Sequence, residues 1–111
     1  MATYLQVLTT VKGYRKGTKL AWSITGARLA ACVQVVGPIQ SVYRWEGRVK
    51  QVEEWQLLIK TTAEAFPALE EHIKANHPYD TPEIIATPIA AGSAEYLAWI
   101  GKETKRYDAP S

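Results

Sequence analysis

Two β-type runs, IQSVYRW and RVKQVEEWQLLIKTT, meet with only Glu46-Gly47 between them. A glycine between two such runs reads as the tip of a long antiparallel hairpin. On the second run Trp55, Leu57 and Ile59 share one face, while Gln56, Leu58 and Lys60 share the other. The remaining sequence must supply the elements that pack on this hairpin.

Residues 4–11 alternate in the same way, with Leu5, Val7 and Thr9 on one face and Tyr4, Gln6 and Leu8 on the other. Gly13 and Gly17 punctuate a loop. From about Thr18 the spacing becomes helical, through Leu20, Ile24, Ala27 and Ala31, with Lys19 and Arg28 off the stripe. Gly26 within that helix costs about 1 kcal/mol against alanine, so a close packing contact is expected there. The short run CVQVVG follows and ends at Gly37-Pro38, just before the hairpin. Helical spacing returns over residues 63–76, where Phe66, Leu69 and Ile73 share a side and Thr61 with Glu64 fits a capping box. Pro78 disfavours helical geometry at His77, so that helix ends there. Pro82 and Pro88 bracket EIIATPIA, a short or edge strand. Ser93 is the expected N-cap of a last helix whose face holds Tyr96, Trp99 and Ile100. Lys102, Lys105 and Arg106 suit its C-terminal end. The tail from about 107 to 111 is expected to fray.

The order strand, helix, strand, strand, helix, strand, helix defines an α+β class chain. Its first six elements form the split βαβ arrangement of ferredoxin-like βαββαβ folds, with one added C-terminal helix. One domain over residues 1–111 suits this length. Such a sheet carries helices on one face, and another subunit is the expected cover for the other. Four tryptophans point the same way, because aromatic residues are enriched at interface centres.

Net charge is +2, from 13 basic and 11 acidic residues that are interspersed, so no nucleic-acid partner is expected. No apolar run approaches the roughly 20 residues of a membrane helix. MATYLQVLTTV reads as a strand and not as a signal peptide. The single cysteine, Cys32, fits a reducing compartment. A soluble, cytoplasmic protein is expected.

The runs RLAACVQVV, SVYRWEGRV, LLIKTT, HPYDTPEII and EYLAWI, in this order, closely resemble the CutA divalent-cation-tolerance family. The resemblance spans roughly residues 4–100. It implies a tight homotrimer, an architecture similar to the PII nitrogen-signalling proteins, binding of copper and other divalent metals, and clefts between subunits that hold a small ligand. It implies no established reaction. Some members carry a cysteine where this chain has Thr9 and a histidine where it has Asn76.

Candidate sites follow from residue chemistry. His77 is the best metal ligand, since neutral imidazole binds copper and zinc. Cys32 is a weaker one, because a small buried thiol is commonly inert. His72 lies on a different helix face from His77. For a small polar or anionic ligand, the expected set is Tyr43 and Trp45 on one face of the hairpin, Lys60 near the end of its second strand, and Tyr79, Glu83 and Trp99 from elements that reach the same rim. The same aromatics also suit a trimer interface. His77, Tyr79, Asp80 and Glu83 are proton-transfer types, but neighbours on an extended loop point alternate ways, so no enzymatic activity is expected. Lys16 precedes Gly17, so Gly13-x-x-x-Gly17 is no phosphate loop. The expected function is a copper-binding or sensing trimer in divalent-metal tolerance. The alternatives are a PII-like signalling adaptor and a structural trimer with incidental metal affinity.

Overall fold

The computed structural model describes residues 3–104. The elements are β1 (Tyr4–Val11), α1 (Tyr14–Gly26), β2 (Cys32–Trp45), β3 (Arg48–Thr62), α2 (Phe66–Asn76), β4 (Ile85–Pro88) and α3 (Ala94–Thr104). They build one four-stranded sheet in the order β2-β3-β1-β4, antiparallel at every pair. β3 thus separates β1 from β2, and β1 separates β3 from β4, which is the split βαβ topology expected from the order of elements.

Alternation along the strands divides the sheet into two faces. Val7 and Val11 of β1 and Leu57 and Ile59 of β3 join Leu20 and Ile24 of α1 and Leu69 and Ile73 of α2 in one buried core. Each such side chain contributes about 1.5–3 kcal/mol by leaving water. Tyr4, Leu8, Gln56, Leu58 and Lys60 belong to the opposite face. The chain's own α3 packs against β3 and β1, with Ile100 fully buried and Gly101 set against the Tyr4 ring. One end of the second face is therefore covered within the chain, where sequence reasoning had assigned the cover to another subunit.

Several local expectations shift. α1 begins at Tyr14, straight after Gly13, whose φ of 95° turns the chain into the helix. Gly17 is consequently helical and buried, and a Cβ there would sit 3.4 Å from Leu57, Val11 and Val35. The close helix–sheet contact is at Gly17. Gly26 ends the helix with open space where its Cβ would be. Thr62, not Thr61, accepts the hydrogen bond from the Ala65 N–H before α2, at 3.2 Å. Thr61 faces the core and donates to the Leu29 carbonyl at 2.7 Å. α2 ends at Asn76, with His77 extended at φ −108°. β4 is a four-residue edge strand. Ser93 Oγ accepts from the Tyr96 N–H at 3.2 Å. Arg28 donates to the carbonyls of Lys102 and Glu103 at 2.7 and 3.2 Å, meeting the negative end of α3 with a cation. Lys105, Arg106 and the tail lie outside the described residues.

CVQVVG and IQSVYRW form one strand, β2, interrupted by a bulge. Val36 pairs with Gln56 and Ile39 pairs with Glu54, so Gly37 and Pro38 together oppose Trp55 alone. That extra residue reverses the parity of everything beyond it. Ser41, Tyr43 and Trp45 face the same side as Lys50, Val52 and Glu54; without it Val42 and Arg44 would. A Cβ at Gly37 would lie 2.8 Å from Trp55 ring atoms, so the bulge requires glycine.

Candidate ligand-binding site

Residues beyond the bulge, the end of β1 and the segment 78–83 enclose a cavity of about 650 Å³. It lies at the end of the second sheet face that α3 leaves open. The hairpin supplies Ser41, Tyr43, Trp45, Lys50 and Glu54 as its floor. Thr10 of β1 and Lys12 just beyond it border the cavity.

The third side is made by HPYDTPEI, whose geometry His77 fixes. Nδ1 of His77 accepts the Tyr79 N–H at 3.1 Å, so the ring proton is on Nε2, which donates to the Thr10 carbonyl at 2.7 Å. The imidazole therefore pins the segment to β1. Its ring lies 4.7 Å from the Tyr79 ring. Tyr79 then reaches across and donates its hydroxyl to Glu54 Oε2 at 2.7 Å. The run is a rigid wall held by hydrogen bonds.

Glu54 is the electrostatic centre. Its residue is 5% exposed, and Tyr79 is its side-chain hydrogen-bond partner among the described residues. The one ion pair among those residues is Lys74–Glu70, on α2. Glu54 thus lies buried with no ion pair among the described residues, although Lys12, one step beyond Val11↔Trp55 in the β1–β3 register, lines the same cavity. Partial burial, and then the charge of Glu54, push the Glu83 carboxyl above its ordinary value. Burial, and then the bond to Glu54, push the Tyr79 phenol far above its own. Both groups are biased toward their protonated forms, by burial first and by the same carboxylate second.

Four of the six residues expected to bind a ligand, Tyr43, Trp45, Tyr79 and Glu83, line this cavity. Lys60 and Trp99 do not. Lys60 donates to Gln34 Oε1 at 2.6 Å and stands six residues from Glu54 on β3, about 20 Å along the strand. Trp99 lies on α3 against the Tyr96 ring at 5.5 Å. Both share the cavity's sheet face but occupy its other end. Glu54, Lys50 and Lys12 were missed. The signal for Glu54 was its even-numbered place on the strand face already assigned to Gln56 and Lys60.

The two proposed metal ligands are not brought together. Thr10, which His77 contacts, pairs with Gln56, while Cys32 pairs with Lys60, about 13 Å along β3. Cys32 is partly buried beside Tyr96. Both ring nitrogens of His77 are already engaged. Among the described residues, no group of three or more His, Cys, Asp or Glu side chains is placed to hold a metal ion.

Residues 5–103 match the family model described as CutA1 divalent ion tolerance protein. The chain is 48% identical over 98 residues to the divalent-cation tolerance protein CutA of Thermus thermophilus, covering 88% of this chain and 95% of the relative. It is 48% identical over 99 residues to Protein CutA 1, chloroplastic, of Oryza sativa, covering 89% of this chain and 56% of that one. A solved structure of a divalent cation tolerance protein from Thermus thermophilus superposes with a TM-score of 0.90 at 46% identity, covering 92% of this chain and 99% of its own. No helix among the described residues is long and apolar enough to cross a membrane.

Proposed function

Because this chain belongs to the CutA1 divalent ion tolerance family, we propose that it serves that tolerance as a homotrimeric binding or sensing module whose binding site is the cavity under residues 78–83. The observation that carries the reading is Glu54. A carboxylate this buried costs free energy unless it is paired, and among the described residues a phenol is its side-chain hydrogen-bond partner. A bound partner that supplies positive charge relieves that cost, and a site that rewards occupancy in this way is suited to sensing.

The trimer reading rests on what one copy leaves open. Val36 and Ile85 on the two edge strands and Tyr96 and Trp99 on α3 are each at least 40% exposed. A second copy would cover such apolar side chains. Copper or another divalent ion, on this reading, binds at positions shared between copies or weakly at the cavity carboxylates. The cytoplasm is the compartment we favour, since a lone Cys32 has no partner within the chain.

Light scattering tests the assembly and should give three times the 12.4 kDa chain mass. A thermal-shift screen of small molecules and divalent cations tests the site. Stabilisation by at least one of them should be lost in both Glu54→Gln and Tyr43→Ala. A monomer mass, or binding indifferent to both substitutions, would end the reading.

A further inference from the structure

Five charged side chains line the cavity: Lys12 and Lys50 on one hand, Glu54, Asp80 and Glu83 on the other. None of them forms an ion pair with another residue among those described. Glu54 is held by Tyr79, and Lys50 stands on β3 opposite Tyr43, four residues from Glu54. The site therefore presents unpaired groups of both signs at once.

We propose that the cavity binds a small zwitterion, a molecule with an ammonium group and an acidic group. The ammonium sits at Glu54 and Glu83, and the acid group is met by Lys50 and Lys12. This deepens the reading of the cavity as a binding site and rests on it. An ammonium at Glu54 gives that carboxylate the ion pair it lacks among the described residues, and it also relieves the repulsion between Glu54 and Glu83. Tyr43, Trp45 and Tyr79 add ring faces that attract a cation and pack an aliphatic or flat body. A lone divalent cation would leave the lysines repelled, and a simple anion would leave Glu54 bare. The volume of about 650 Å³ lies within the range of small-ligand pockets. A free amino acid is the simplest member of the class.

Calorimetric titration of the full chain tests this with a panel of α-amino acids, their N-acetyl forms and their amides, beside inorganic phosphate, ethylamine and divalent chlorides. At least one amino acid should bind, and blocking either its amine or its carboxylate should weaken binding by at least about tenfold. Glu54→Gln keeps an acceptor for Tyr79 and should abolish the preference for the free amine. Lys50→Met, at an exposed strand position, should abolish the preference for the free carboxylate. If N-acetyl forms or phosphate bind as well as the zwitterions do, the charge assignment is wrong while the cavity remains a binding site. If only divalent cations bind there, the zwitterion is overturned and the metal reading gains. If nothing binds and neither variant changes any titration, both readings fall together.

Discussion

The Tyr79 hydroxyl lies 2.7 Å from Glu54 Oε2, which ties the segment after α2 to the middle of the hairpin. Removing that hydroxyl leaves a buried carboxylate without its hydrogen-bond partner. Tyr79→Phe is expected to destabilise the protein by about 1–3 kcal/mol. Urea unfolding would show a lower midpoint with an unchanged slope. An unchanged midpoint would mean that water or a rotated side chain replaces the phenol freely.

His77 spends both ring nitrogens on backbone groups, one from β1 and one from its own segment. His77→Ala is therefore expected to lower stability by about 1–3 kcal/mol through two lost hydrogen bonds and to leave copper affinity unchanged. Parallel thermal and copper titrations read the two effects separately. Loss of copper affinity with full stability would reverse the assignment and make the imidazole a ligand.

At the bulge, the position of Gly37 against the Trp55 ring leaves no space for a methyl group. Trp55 is itself backed edge-on by Tyr14 at 5.2 Å, so the ring cannot simply swing away. Gly37→Ala should cost about 1–3 kcal/mol by overpacking. It should also weaken binding in the cavity, because this bulge selects which side chains of β2 line it. A variant with full stability and full binding would show that the register is held by something else.

The sequence carried the fold further than it carried the site. Period-two and helical spacings marked every element, and proline positions placed the end of α2 and the shortness of β4. These signals are local, so they survive without tertiary information. The start of α1 was misread because Gly17 suggested a loop, whereas its missing side chain is what lets the helix approach Leu57 and Val35. The site depended on two non-local quantities. One was distance along a strand, which separates Lys60 from Glu54 although they share a face. The other was the one-residue bulge, invisible in periodicity, which puts Ser41, Tyr43 and Trp45 on the sheet face of Glu54. Glu54 itself looked like any polar strand residue, because its burial comes from a segment 25 residues later.

Glu83 gives the pH dependence its sign. Its folded-state carboxyl is raised above the ordinary 4.5, first by partial burial and then by the charge of Glu54. A raised group contributes stability while it is protonated, below its unfolded value, and loses that contribution as pH rises through the folded value. The empty protein should therefore lose a small increment of stability as pH climbs from about 4.5 toward neutrality. Glu83→Gln should remove that slope, so the variant gains on the parent as pH rises and matches it most poorly in acid. An ammonium group bound between Glu54 and Glu83 reverses the preference and favours the ionised carboxylate, so ligand uptake should release protons over the same interval. Calorimetry in buffers of different ionisation enthalpy reads that release directly. Observed heats that do not vary with the buffer, with binding intact, would place the ammonium away from Glu83.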